Sequence, residues 1–242
     1  MNSPPPQLQA IVTGASSGIG KATALALAEA GINLALVSRS LDKLEAVASK
    51  AKELGVEAKA YALDLAEVDR VKQGIAAIVE DFGAVDILIN NAGMGYTNSL
   101  VDTSLADWQQ VLDLNLTSVF QCIQGILPSM RKRSKGTIVN VASIAAHNAF
   151  PEWGAYSVSK AALVALSKAL AVEERANGIR AVTISPGAVN TAIWDTDTVK
   201  AELNRDAMLT PEIVAQSILH TVLLPQQAVI EEMTVMPSGG AL

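Results

Sequence analysis

The chain has 242 residues, half of them apolar and only 17% charged, which is enough to fill one sizeable core and too apolar for a disordered chain. A net charge of −6 disfavours non-specific contact with nucleic acid or an anionic membrane. A single cysteine, Cys122, excludes an intrachain disulfide and fits a reducing compartment, and two histidines far from it in sequence argue against a transition-metal site.

Residues 1–8 read as an extended tail stiffened by Pro4 to Pro6, and residues 9–242 as one domain without repeats or linkers. The opening MNSPPPQLQ lacks a basic start followed by an apolar run, so it does not read as a secretory signal. No stretch reaches 18 uncharged apolar residues, as a membrane span would, and the cytoplasm is the expected location. Aromatic residues make up only 4%, so the core must be built from Ala, Val, Leu and Ile, which suits strands buried on both faces beneath Ala-rich helices.

Strands are predicted at residues 9–13, 33–37, 58–63, 85–90, 137–142, 180–185 and 233–236. Helices are predicted at about 18–30, 41–54, 67–82, 104–132, 154–176 and 211–223. Leu41, Leu44, Val47, Ala48 and Ala51 recur at helical spacing, and Val85-Asp-Ile-Leu-Ile is a strand-length, mostly apolar run. Strand–helix alternation with helical crossovers implies an α/β fold: a single-domain, Rossmann-like, doubly wound parallel sheet of about seven strands with helices on both faces. Residues 187–210 break the alternation. They are long, polar and weakly periodic, and they follow a strand, so they read as a substrate-side lid at the carboxyl edge of the sheet.

The first strand runs into Thr13-Gly14-Ala15-Ser16-Ser17-Gly18-Ile19-Gly20, with a helix behind it. Glycines there let backbone N–H groups approach a pyrophosphate at a helix N-terminus. The spacing G-x-x-x-G-x-G differs from the common G-x-G-x-x-G register. The second strand ends at Ser38-Arg39, where an NAD-preferring site would carry an acid; a guanidinium at Arg39 suits a 2′-phosphate instead. Asp64 ends the third strand, as either an adenine acceptor or a turn cap. Asn90-Asn91-Ala92-Gly93 ends the fourth with side chains small enough for a close cofactor.

Tyr156 and Lys160 stand four apart in a helical stretch and share a face. A nearby ammonium would lower the phenol pKa from about 10. Ser143, at the end of the fifth strand, can donate to a substrate carbonyl oxygen. Such a group polarises a carbonyl and protonates it as hydride arrives.

Thr13–Gly20, Asn90–Gly93, Asn115, Ser143, Tyr156, Lys160 and Pro186-Gly187 resemble, in order and spacing, the motifs of the short-chain dehydrogenase/reductase family. The resemblance covers roughly residues 8–240 and implies an oxidoreductase acting on a carbonyl or alcohol. It implies Tyr156 as proton donor, Lys160 as the residue that lowers its pKa and holds the nicotinamide ribose, Ser143 as substrate-oxygen donor, and Asn115 as a helix-bending residue of the proton relay. Cofactor contacts are implied for Gly14, Ser16, Ser17, Gly18, Ile19, Gly20, Ser38, Arg39, Asp64, Leu65, Asn91, Ala92, Gly93, Pro186, Gly187, Val189 and Thr191 as well as Tyr156 and Lys160. Arg39 points to NADP(H) over NAD(H), although Ser17 stands where some NADP members carry a second basic residue. Substrate candidates are Met94, Ile144, His147, Phe150, Trp153 and Trp194, several of them large and apolar, which implies a partly hydrophobic small molecule.

The resemblance also implies a homodimer or homotetramer. The basic run Arg131-Lys132-Arg133-Ser134-Lys135 suits either a helix C-terminus or a dock for an acidic carrier protein, so a 3-oxoacyl-(carrier protein) reductase is the enzymatic alternative. A catalytically silent NADP(H)-binding sensor or scaffold is the alternative from another class.

Overall fold

The computed structural model describes residues 7–201 and 203–240. Pro4 to Pro6, the core of the expected tail, lie outside that range. Gln7 and Leu8 do not behave as tail, because Leu8 accepts a backbone hydrogen bond from Asn33 and the Gln7 amide donates to the Gly31 carbonyl.

The strands β1 (Gln9–Thr13), β2 (Asn33–Ser38), β3 (Ala58–Ala62), β4 (Ile87–Asn90), β5 (Gly136–Val141), β6 (Ile179–Pro186) and β7 (Glu232–Val235) form one sheet, ordered β3-β2-β1-β4-β5-β6-β7. Every pairing is parallel. Interleaved with them are helices α1 (Gly18–Glu29), α2 (Leu41–Glu53), α3 (Val68–Phe82), α4 (Leu105–Leu112), α5 (Ser118–Arg133), α6 (Gly154–Glu174) and α7 (Pro211–Val222).

Side chains that alternate along a strand reach opposite faces, and the two faces are covered by different helices. Ala10, Val12, Leu34, Leu36, Ile87 and Ile89 pack with Leu27 of α1, Leu44 of α2 and Ile218 of α7. Their neighbours Ile11, Ala35, Val37 and Leu88 pack with Ile75 of α3, Ile126 of α5 and Leu163 of α6. Both faces are therefore dry, which is why these strands lack the polar alternation of a half-exposed sheet.

Most boundaries shift by one or two residues, and two differences are of more consequence. The strand predicted from Val85 begins at Ile87, although the Asp86 backbone still bridges Gln9 and Thr137. The helix predicted across 104–132 is broken into α4 and α5 by a π-helical turn, Asp113–Thr117. An inserted residue of this kind rotates the side chains after it. Here the turn holds Asn115 fully buried, against the sheet's carboxyl end. The stretch Gly154–Asn177 has a mean hydropathy of 1.3, apolar enough by composition to cross a bilayer. In the fold it lies along β5 and β6 and buries Ser159, Lys160 and Ser167.

The order reverses between β1 and β4, whose connections leave in opposite directions. Their carboxyl ends therefore splay open, and ligands of such sheets bind at this switch point.

Candidate active site

A cleft of about 680 Å³ runs along that edge, from Ser16 and Arg39 at one end to Trp194 at the other. Its floor is the glycine turn between β1 and α1. Thr13 ends β1 with its hydroxyl donating to the Ile89 carbonyl and accepting from the backbone N–H groups of Asn91 and Ala92. The Asn91 side-chain amide donates to the Thr13 carbonyl at 3.0 Å. Asn91 thus ties the end of β4 to the turn as well as facing the cleft.

Gly20 lies beneath the cleft and not in its wall. A Cβ there would stand 2.3 Å from the Gly14 carbonyl oxygen and 2.5 Å from the Asn91 amide nitrogen. Because the first obstacle is backbone, it cannot swing away. Gly20→Ala is therefore expected to lower the denaturant midpoint by the equivalent of about 1–3 kcal/mol, the usual cost of overpacking, and to weaken nucleotide binding in calorimetry. A variant with both properties unchanged would show that the turn yields freely.

At the far end of the turn, Ser38, Arg39, Asp64 and Leu65 line the wall as expected, and Lys43 from the first turn of α2 joins them. Asp64 also accepts from the Ala66 N–H at 2.9 Å, so its capping and cleft-facing roles coexist. Lys43 stands four positions after Arg39, in the first turn of α2, and lines the same cleft.

Ser143, Tyr156 and Lys160 share the opposite wall, where β5 ends and α6 begins. Ser143 lies just beyond β5 and caps the short turn Ile144–Ala146, accepting from Ala145 N–H at 3.1 Å. Lys160 is almost fully buried. Its Nζ donates to the Val141 carbonyl at 2.9 Å and lies 5.8 Å from the centre of the Tyr156 ring. Burial pulls the Lys160 pKa down to about 8.

Burial likewise pushes the Tyr156 pKa above its usual 10, and the Ser143 hydroxyl opposes that only in part. The expected lowering of the phenol is thus not what the protein groups alone produce. The loss of water around the phenol outweighs the Ser143 hydrogen bond, and Lys160 spends a donor on the Val141 carbonyl.

Asn115 stands behind this wall. Its Oδ1 accepts from the Met94 N–H at 2.8 Å, and its Nδ2 donates to the Met94 carbonyl and to Ser159 Oγ. A Cβ at Gly93 would come within 2.9 Å of that Oδ1 and 3.6 Å of Lys160 Nζ, so the glycine is what lets β4's exit pass between them. Asn115 positions the wall from behind and does not line the cleft.

Met94, Ile144, Phe150, Trp153 and Trp194 line the other end, as anticipated. His147 does not. The turn after Ser143 carries it toward β7, where its Nε2 lies 2.9 Å from Glu232 Oε1 and 3.4 Å from Ser185 Oγ. Pro186, Gly187, Val189 and Thr191 face the cleft from the end of β6.

The described residues of the segment 187–210 are tied to the rest of the fold by more hydrogen bonds than their polarity suggested. Leu209 exchanges backbone hydrogen bonds with Ala188 and Asn190. Its middle is pinned by the Thr97 N–H to the Thr198 carbonyl at 2.9 Å and by Thr198 Oγ1 to the Gly95 carbonyl at 2.8 Å.

A switch-point cleft over a glycine turn places the chain among the Rossmann-like α/β proteins. Sequence comparison makes this specific: the short chain dehydrogenase profile matches residues 9–202, and the chain belongs to that family of oxidoreductases. It is 36% identical over 240 residues to an uncharacterised oxidoreductase of Staphylococcus saprophyticus, covering 96% of both chains. It is 41% identical over 181 residues to a 3-oxoacyl-[acyl-carrier-protein] reductase of Staphylococcus epidermidis, covering 74% of each. Among solved structures, the alcohol dehydrogenase of the archaeon Thermococcus sibiricus, complexed with 5-hydroxy-NADP, superposes with a TM-score of 0.88 at 30% identity, covering 96% of this chain and 97% of that one.

Proposed function

We propose that the protein is an NADP(H)-dependent oxidoreductase that interconverts a carbonyl compound and its secondary alcohol, with Tyr156 as general acid and base. The observation that carries this is the meeting of Ser143, Tyr156 and Lys160 on one wall of the switch-point cleft, opposite the glycine turn. When bound, the nicotinamide would donate or accept the hydride.

The residues present suit such a cofactor. The turn can fold this tightly only because Gly14 and Gly20 lack Cβ atoms, which would strike Asn91 and the turn's own backbone, and it lines the cleft through Gly14, Ser16, Ser17, Gly18 and Ile19. Pro186, Gly187, Val189 and Thr191 form an edge at the catalytic end, and Lys160 is a buried cation able to hold ribose hydroxyls. Ser143 and Tyr156 orient the substrate oxygen as donors. Tyr156, protonated at neutral pH, delivers its proton to that oxygen, and the charged form of Lys160 stabilises the phenolate left behind.

The preference for NADP(H) is supported by Arg39 and Lys43 at the adenosine end, with no acid at Ser38. Two cations there would hold a 2′-phosphate, and Lys43 makes up for the basic residue absent at Ser17. Arg39→Asp with Lys43→Glu is expected to reverse the NADPH-to-NADH ratio of kcat/KM, each lost cation–phosphate contact being worth about 1.5–3 kcal/mol. Equal affinity of the wild type for both cofactors in a titration would refute the assignment. The reaction itself is tested by a panel of ketones, 3-oxoacyl esters and hydroxy acids, followed by nicotinamide absorbance with each cofactor.

The identity to a 3-oxoacyl-[acyl-carrier-protein] reductase favours one second reading, in which a carrier protein delivers the substrate. Its docking patch would be the basic run at the end of α5, but Arg131 pairs with the buried Glu174, and Arg133 and Lys135 share Asp86. These pairs tie α5 to α6 and β4 and leave mainly Lys132 for a partner. Much faster turnover of carrier-linked than of free substrates would promote this reading.

A further inference from the structure

We propose that the substrates are uncharged carbonyl compounds bearing an aromatic ring beside the carbonyl; this rests on the carbonyl-reducing reading above and adds the substrate class. The observation is an aromatic wall built from two chain segments. Trp153, just before α6, meets the Tyr156 ring edge-on, with centroids 5.2 Å apart and planes at 71°. Trp194, from the segment 187–210, meets Trp153 in the same way at 5.7 Å and 67°. The row of rings therefore begins at the proton-donating residue and continues outward along the cleft.

Both indoles are held before any ligand arrives. Trp194 Nε1–H donates to the Val189 carbonyl of its own segment at 2.7 Å, so its polar edge is engaged and the rest of its ring is carbon surface. Trp153 follows Glu152, whose φ of +67° is rare for a residue with a side chain. That conformation is locked by the Asn98 N–H bonded to the Glu152 carbonyl at 2.8 Å. Backbone strain held in place beside a cleft is the kind tolerated for positioning.

Charge decides the rest. Among the described residues lining the cleft, the ionisable side chains are Arg39, Lys43, Asp64, Tyr156 and Lys160, and the first three belong to the adenosine end. Asp195, next to Trp194, is paired with Arg205, which also donates to Asn190 and Thr191 and so faces its own segment. Among the described residues, an anion near Trp194 would find only Arg205, already engaged by Asp195 and its own segment. A quaternary ammonium, which two indoles could otherwise attract, would approach the buried charge of Lys160. A neutral aromatic ring adds a fourth member to the row of Tyr156, Trp153 and Trp194 and loses nothing to desolvation of charge.

The test compares acetophenone, cyclohexyl methyl ketone, 4-acetylbenzoate and 4-acetyl-N,N,N-trimethylanilinium. Each is reduced to its secondary alcohol with one equivalent of NADPH. Each is also bound without turnover, by calorimetry and tryptophan emission, to the protein saturated with NADP+. Acetophenone is expected to exceed the cyclohexyl ketone by about three- to tenfold in kcat/KM and in dead-end affinity, the size of one or two ring–ring contacts, and to exceed both charged ketones by more. Trp194→Leu should collapse the aryl-to-cyclohexyl ratio toward one. A cyclohexyl ketone bound and reduced as well as acetophenone, or the trimethylanilinium compound ahead of it, overturns the aromatic assignment while the carbonyl-reducing reading stands. No reduction of any carbonyl overturns that reading, and the binding order then still decides the aromatic preference.

Discussion

Tyr156→Phe is expected to lower kcat for carbonyl reduction by about 10²- to 10⁴-fold, the usual worth of a positioned general acid, with NADP(H) affinity nearly unchanged. The ring and its edge contact with Trp153 survive the substitution, and only the hydroxyl, with its proton and its Ser143 hydrogen bond, is lost. Because burial raises the phenol pKa, the wild-type hydroxyl keeps its proton throughout the neutral range and serves reduction directly. Alcohol oxidation needs the phenolate, so its rate should climb with pH while reduction should not. Stopped-flow absorbance of the nicotinamide in both directions, from pH 6 to pH 10, measures both. Retention of full activity in the Phe variant would remove Tyr156 from the chemistry.

The second large effect concerns Lys160. Its pKa falls from 10.5 in the unfolded chain to about 8 in the fold. Between these values the unfolded state binds more protons than the folded state, so native stability rises as pH rises through that window. Below pH 8 the full penalty for holding the ammonium inside applies, roughly 3 kcal/mol for a shift of this size.

Lys160→Met removes that penalty and gives up the hydrogen bond to Val141, worth about 1.5–3 kcal/mol as a charge-assisted bond. The variant is therefore expected to be as stable as the wild type at pH 7 or more stable by up to about 2 kcal/mol. That advantage should turn into a deficit at pH 10, as the wild type sheds the penalty. Activity should drop by at least about 10²-fold, as expected when charge stabilisation of the phenolate is removed. Urea denaturation at the two pH values gives the comparison. A variant that is much less stable at pH 7 and equal at pH 10 would mean that Lys160 holds the fold together.

The strand–helix alternation was legible from residue patterns, because a sheet buried on both faces needs apolar runs and its crossovers need helices of matching periodicity. Ala10 to Val12 and Leu34 to Val37 show this: each run is apolar at consecutive positions and fully buried on both sides. Spacing showed that Tyr156 and Lys160 share a helix face, since one helical turn brings them together whatever surrounds them, and the combination with the other motifs of the resemblance made them, with Ser143, the catalytic candidates. The break at Asp113–Thr117 falls at Asn115, the helix-bending residue that the resemblance implied, whereas periodicity runs through the stretch without a sign of it, since Asn115 is held by Met94 and Ser159.

The environment of each group was equally out of reach. Tyr156 and Lys160 are four apart in any helix, but whether the phenol becomes more acidic or less depends on how much water surrounds it. The sign followed burial, against expectation. His147 illustrates the same limit: its position after Ser143 suggested the cleft, and a three-residue turn sent it to Glu232. Lys43 went the other way, reaching the cleft from the first turn of α2.

Residue order by itself thus determined the doubly wound architecture, the glycine turn and the Ser143, Tyr156 and Lys160 set, because these depend on short-range periodicity and on side-chain chemistry. Tertiary structure alone decided the direction of the pKa shifts, the exclusion of His147 and the aromatic row from Tyr156 to Trp194. Desolvation and ring contacts are made between segments distant along the chain, and local spacing carries no information about them.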